Sequence, residues 1–281
     1  MTKFDGMTLV WSVEPILDVH SIDEIRRLCN GQNIAFFGAV GHGKSSSINT
    51  LAEALGHGEV TDTWGASGSA GTLVVSPHTI TFDQSSTVTL VDVPGSGLPR
   101  VNTQHGSNQL KDVIGWIMDG KFPQKTPTDY WERGGLSPWK SYFLKPKVGR
   151  IDAVVIIIKA TAQVDRMINI IVSESKNRGN GIPIHTILTH VDQLRDRGEI
   201  KKKVKEVSRC IGVEETRIYP LSNRVRGGDY LVGNDRDTHV LCMLAKLLRT
   251  ATHFQSNENR SPFMKRRANW DSCNTPKRFK R

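Results

Sequence analysis

The nine residues GAVGHGKSS, from Gly38 to Ser46, match the spacing G-x-x-x-x-G-K-[ST] at Gly38, Gly43, Lys44 and Ser45. Such a string either cradles a phosphate or forms an ordinary tight turn. Its neighbours separate the two. NIAFFG (33–38) is an apolar run, as a buried strand should be, and SSINTLAEAL reads as the helix that follows. In that context each residue type has a physical task. Gly38, Gly41 and Gly43 let backbone N–H groups converge on phosphate oxygens without a Cβ in the way. The helix starting near Ser45 and Ser46 turns its positive end to the same oxygens. Lys44 neutralises β- and γ-phosphates, and the Ser45 hydroxyl is a ligand for Mg²⁺. His42 either reaches the phosphates or fills a solvent-exposed loop position.

Two further segments complete a nucleotide site. VTLVDVPG ends an apolar strand in Asp92 and places Gly95 three residues on, 48 positions after Lys44 for the acid. An acid there holds the magnesium shell, and the Gly95 N–H meets a γ-phosphate. The bland reading of Asp92 is a strand-ending residue capping its own turn. ILTHVDQL puts Thr189-His190-Val191-Asp192 at the end of a later strand. GTPases carry [NT]-K-x-D there, and the carboxylate accepts from guanine N1 and N2, which adenine does not offer. Asp192 selects guanine on this reading and caps a helix on the other. His190 stands where a lysine stem would pack on the base. YPLSNR, ending the next strand, offers Ser222 and Asn223 as the place for an N–H toward guanine O6.

A switch hydroxyl for Mg²⁺ is sought in DTWGASGSAGTLVV. Thr72 is the choice, with Ser67 and Ser69 as rivals, and a plain flexible loop is the alternative. Hydrolysis needs a positioned water. Small GTPases place a glutamine directly after D-x-x-G, and here that residue is Ser96. Gln104 and His105 lie nearby in sequence, and Val40 puts a branched side chain in the phosphate loop. Binding with slow turnover is expected.

The remaining chain bounds the reading. It has 281 residues, 37% hydrophobic and 23% charged, ordinary for a soluble globular protein. The longest apolar run, Ala153 to Ile158, is far too short to span a bilayer, so no integral membrane segment is expected. No signal peptide is read at the N-terminus. Cys29, Cys210, Cys242 and Cys273 are scattered, which suits a reducing, intracellular compartment. Strands alternate with helices: IDEIRRLC, QLKDVIGWIMDG, QVDRMINIIVSESKNRG, EIKKKVKEVSRCIG and DTHVLCMLAKLLRTATHF are the helices outside the phosphate loop. This predicts an α/β, P-loop GTPase-like fold, a mainly parallel sheet with helices on both faces. Pro77 marks TLVVSPHTITF as an edge or a break. The domain is expected over 31–255, after a lead-in over 1–30, with an insertion over about 121–149. The net charge is +10, and eight Lys/Arg against Glu258 and Asp271 put six of those charges in residues 256–281. That segment is expected to be a basic disordered tail. KRRANWDSCNTPKRFKR has a bipartite pattern, read as an import signal, a polyanion contact or a solvated tail. The KKKVK run (201–205) is expected on the wet face of a helix.

With these residues in hand the chain resembles the interferon-induced protein 44 family of P-loop GTPases, over roughly Trp11 to His253. GAVGHGKSSSINTL resembles that family's G-P-V-G-A-G-K-S-S-F-F-N-S-V stretch, and THVD matches the family's own base motif. QLKDVIGWIMDGKFP resembles its helix ending in a G-H-I-P-like turn, and RIDAVVIIIKA and the closing helix correspond in order. DVPG replaces a D-S-L-G-like string, and the basic tail is extra. The resemblance implies a GTP-binding protein (GTP/GDP with Mg²⁺) linked to innate antiviral responses and acting in the cytoplasm. The immunity-associated nucleotide-binding GTPases are a second likeness, whose base motif fits less well. Partners expected are guanine nucleotide, a second copy across the nucleotide face or a protein at the aromatic-rich insertion, and an import receptor or polyanion at the tail. A nucleotide-stabilised scaffold that does not hydrolyse is the alternative function. A nucleic-acid-directed ATPase is a third, against which Asp192 argues.

Overall fold

The computed structural model describes residues 22–58, 61, 75–83, 85–95, 104–121, 149–178, 181–222 and 234–260. Six strands form one sheet. They are β1 (Gln32–Phe37), β2 (Ser76–Thr81), β3 (Thr87–Asp92), β4 (Ala153–Lys159), β5 (Ile184–Thr189) and β6 (Ile218–Leu221). Their spatial order is β2-β3-β1-β4-β5-β6, parallel throughout except for β2, which runs antiparallel to β3 at the edge. Pro77 sits in β2, where one side has no strand partner and its missing N–H breaks no central ladder.

Two helical layers cover the sheet. α1 (Ile22–Leu28), α2 (Lys44–Ala54) and α6 (Asn234–Arg260) pack on one face through Ile25, Ile48, Leu51, Val240, Leu244 and Leu248. The other face carries α3 (Gln104–Met118), α4 (Arg166–Lys176) and α5 (Arg197–Ile211), through side chains such as Ile114, Ile171 and Val207. β4 is apolar at every position from Ala153 to Ile158 because both of its faces are covered. This is the α/β architecture the alternation predicts. Asp165 caps α4 by accepting from Met167 N at 3.1 Å, and Asp196 caps α5 by accepting from Glu199 N at 2.9 Å. On α5, Lys201, Lys202 and Lys205 are exposed, while the Lys203 ammonium donates to the Ala162 carbonyl.

One boundary departs from expectation. The last helix continues to Arg260, five residues past Gln255, where the sequence reading begins the disordered tail. The apolar stripe does fade there, but side-chain bonds carry the last turns. Ser256 Oγ donates to the Thr252 carbonyl at 3.0 Å, and Asn257 Nδ2 meets His253 Nε2 at 2.9 Å. The helix is also tied to the amino end of the sheet. Gln32 Nε2 donates to Thr252 Oγ1 at 2.8 Å, and Arg150 lies over the Phe254 ring. α1 belongs to this packing too: Ile25 is fully buried, and Arg249 pairs with Glu24. Residues 261–281, the insertion over 122–148 and residues 1–21 lie outside the described residues. Among the described residues no helix is long and apolar enough to cross a membrane.

Asp152 lies in the same corner. Its Oδ2 accepts from Asn33 N at 2.8 Å, yet burial pushes its carboxyl up to about 6, against the pull of that bond, Gln255 and Arg150. A raised acid binds its proton more tightly folded than unfolded. Its stabilising contribution is therefore full below the ordinary 3.8 and lost as pH climbs through about 6. Denaturant titrations of wild type and Asp152→Asn should diverge across that window, the wild type losing about 1–3 kcal/mol relative to the variant as pH rises.

Candidate nucleotide-binding site

The carboxyl ends of β1, β3, β4, β5 and β6 meet along one edge of the sheet. Register brings them level: Phe36 pairs with Asp92, Lys159 with Thr189, and Thr189 with Leu221. Ligands of open α/β sheets bind at this edge.

The phosphate loop leaves β1 at Gly38. A Cβ on Gly38 would collide with the Ile157 carbonyl of β4, so the first glycine of the motif is a packing requirement. Gly41 and Gly43 follow with φ of 73° and 85°, the left-handed region that turns successive N–H groups inward. α2 begins at Lys44. The Lys44 side chain folds back over the loop, 6% exposed, and donates to the Ala39 carbonyl at 3.0 Å. Burial pushes its pKa down, opposed by the charge of Asp92. Ser46 is half-buried in the first turn, and its carbonyl accepts from Thr50 Oγ1.

β3 brings the acid and the second glycine. Asp92 is 1% exposed, and its Oδ2 accepts from Ser45 Oγ at 2.7 Å. Gly95 lies so close to the loop that a Cβ there would stand 2.6 Å from Val40 N and 2.7 Å from Lys44 Nζ. The structure thus brings Lys44, Ser45, Asp92 and Gly95 into one cradle. Val40, beside it, is 50% exposed although apolar.

The base motif stands at the end of β5. Thr189 is fully buried, and its Oγ1 donates to the His42 carbonyl at 2.7 Å, which ties this motif to the phosphate loop. His190 adopts φ 55°, the one non-glycine in the left-handed region among the described residues. That turn throws Val191–Gln193 into a 3₁₀ segment and leaves the Asp192 carboxylate exposed. Ser222, just past β6, donates to Asp192 Oδ1 at 3.2 Å. The Thr189 proton is committed to a carbonyl, so His190 Nδ1 is the donor in its 3.1 Å bond to Thr189 Oγ1.

His42 is neither a free surface residue nor an isolated one. Its ring is half-buried, and its Nδ1 accepts from Lys159 N at 3.4 Å. Burial lowers its pKa against the Ile157 carbonyl, with Lys44, His190 and Lys159 adding to the fall. Burial also lowers His190, with Lys159 pushing the same way and Asp192 opposing. Both rings are therefore uncharged at neutral pH.

Thr72, with its rivals Ser67 and Ser69, and Asn223 lie outside the described residues, as does Ser96. Gln104 and His105 fall in the first turn of α3, ahead of Gln109, where the sequence reading starts that helix. Two residues at this edge carried no sequence signal. Thr61 is buried, and its Oγ1 donates to the Ser45 carbonyl at 3.1 Å while its N–H donates to Asn49 Oδ1, pinning the exit of α2 to its first turn. Lys159, read only as the end of a strand, donates its N–H to His42 Nδ1, and its charge acts on both His42 and His190.

The cradle suits a divalent cation by its chemistry. Ser45 and Asp92 supply hard oxygen donors side by side, with room in the shell left to phosphate and water, as Mg²⁺ prefers. Among the described residues no cluster of three His, Cys, Asp or Glu is placed to hold a metal by itself.

Three solved structures and one family model are similar to the chain. The chain is similar to elongation factor SelB from Methanococcus maripaludis, solved with the GTP analogue GppNHp, at 16% identity and a TM-score of 0.43, over 80% of this chain and 34% of that one. It is similar to a probable GTP-binding protein EngB at 13% identity and 0.41, over 77% and 98%. It is also similar to Era of Aquifex aeolicus bound to GDP·AlF4⁻ at 15% and 0.39, over 68% and 50%. The chain thus spans about a third of the SelB chain. No curated protein matches. Residues 33–190, more than half of the chain, match the 50S ribosome-binding GTPases, running from the start of β1 through the base motif. With a phosphate loop, a D-x-x-G glycine close against its lysine and a base motif bonded to the loop, this chain belongs to that family and is a GTP-binding P-loop GTPase domain.

Proposed function

We propose that this protein is a magnesium-dependent guanine-nucleotide switch of the interferon-induced protein 44 type, with slow intrinsic GTP hydrolysis, acting in an innate antiviral response. The observation that carries the switch reading is the cradle itself. A Cβ on Gly95 would stand 2.6 Å from Val40 N and 2.7 Å from Lys44 Nζ, so the β3 exit lies against the loop, where it would meet an entering γ-phosphate. Lys44 currently bonds the Ala39 carbonyl and would exchange that partner for phosphate oxygens. Ser45 and Asp92 would hold Mg²⁺, which supplies charge neutralisation of the phosphates. Asp192 is exposed and bonded by Ser222; on this reading it would accept from guanine N1 and N2. The narrower family reading rests on THVD and on the string GAVGHGKSSSINTL. The cytoplasm is the proposed compartment, with the bipartite basic tail as a route to the nucleus through an import receptor.

A second reading, a nucleotide-stabilised scaffold that does not hydrolyse, is favoured by one observation. Val40 is half exposed in the phosphate loop, so its branched side chain would stand near the place a hydrolytic water would take.

Calorimetric titration of GTP, GDP and ATP with magnesium tests the core. Guanine ligands should bind at least about a hundredfold more tightly than ATP, and Asp192→Asn should remove most of that margin. Equal affinity for ATP would end the guanine reading. Gly95→Ala puts a methyl against Val40 N and Lys44 Nζ, so GTP affinity should fall about tenfold or more while GDP, which has no γ-phosphate, suffers less. Single-turnover phosphate release separates the two readings of the site. Slow magnesium-dependent release that Lys44→Ala abolishes marks an enzyme, and release no faster than in Lys44→Ala marks the scaffold.

A further inference from the structure

Resting on the guanine-nucleotide reading above, we propose that the Lys159 ammonium, delivered from the end of β4, binds the ribose and α-phosphate end of the nucleotide. It thereby supplies the positive charge that the base motif lacks with His190 in place of a lysine.

Side chains alternate between the two faces of β4. Ala153, Val155 and Ile157 pack in the cluster with α1, α2 and α6, while Val154, Ile156 and Ile158 pack in the opposite one. Strand geometry puts Lys159 on the first of these faces. That is the face from which α2 and its phosphate loop rise. The register agrees with the placement: Lys159 pairs with Thr189 in the parallel ladder, and paired residues share a face. Thr189 in turn bonds the loop at the His42 carbonyl.

Lys159 is thus wedged between the two halves of the site. Its N–H meets His42 Nδ1, and its charge depresses both His42 and His190. A nucleotide stretched from Lys44 to Asp192 has to cross this cluster with its ribose and α-phosphate. The two imidazoles there are uncharged at neutral pH, so Lys159 is the cation of the cluster. It is only half-buried, and none of the ion pairs among the described residues engages it. An ammonium with no carboxylate partner at the rim of an anion site is placed to bind the anion.

The test uses the full chain with GDP and GTP in magnesium. Lys159→Gln should weaken GDP about tenfold, the usual scale for one charged hydrogen bond. Lys159→Arg, which keeps the charge, should stay within about threefold of wild type. In Lys159→Gln/His190→Lys the new lysine should restore most of the lost affinity. Melting temperatures without nucleotide show whether each variant folds. A measurement on the wild-type chain needs no variant at all: amine acetylation read by mass spectrometry should show Lys159 protected by GDP. If wild type prefers guanine but Lys159→Gln binds GDP as tightly, or Lys159 is acetylated equally with and without GDP, this inference is overturned alone. If wild type shows no preference for guanine, the reading beneath it falls as well.

Discussion

Everything at the functional edge follows from how closely two backbones approach. Gly95 of the β3 exit stands against Val40 N and the Lys44 ammonium with no space for a single methyl group between them. That approach exists because β1 and β3 are parallel neighbours with Phe36 level with Asp92. It sets three consequences together. Lys44 is buried and has to find a carbonyl. Asp92 is buried and is bonded by Ser45. Gly95 itself is held against the loop and its lysine, with no room for a side chain.

The second half of the edge is joined to the first by a single hydroxyl. Thr189 Oγ1 reaches the His42 carbonyl, so the strand that carries the base motif is tied directly to the phosphate loop. Behind it, a buried polar triad fixes β5, β6 and α6. Thr250 Oγ1 donates to the Leu247 carbonyl, so His185 Nε2–H donates to Thr250 at 2.8 Å and His185 Nδ1 accepts from Tyr219 at 3.1 Å. Burial pushes His185 down to about 3, which keeps the ring neutral and this pattern intact. A fully satisfied network of this kind sets one register, because any slip would leave several buried polar groups without partners.

Sequence reading is strongest where a residue type has only one physical use. Glycines at three positions of a loop between an apolar strand and a helix, followed by Lys44 and Ser45, suit few tasks besides gripping phosphate. The caps Asp165, Asp196 and Gly212, by contrast, came only with the structure. Reading is weak where the useful property is the company a residue keeps. Nothing in the string VVIIIKA says that Lys159 stands beside two histidines from segments 117 and 31 residues away. The helix end at Arg260 escapes it for a related reason. Its last turns are held by Ser256, Asn257 and the contacts of Phe254 with Arg150, none of which shows as apolar periodicity.

The amino-acid order alone therefore determined the fold class, the strand that precedes the phosphate loop, the acid that ends β3 with the glycine after it, and the carboxylate proposed to read the base. These are local patterns, each complete within a dozen residues. Only the tertiary structure decided that Thr189 bonds His42, that Gly95 bars a side chain beside Lys44, that His42 is half-buried, and that Lys159 joins the site. Such facts depend on which strands become neighbours and in what register. Parallel pairing joins segments far apart in the chain, and no short-range signal records where they will meet.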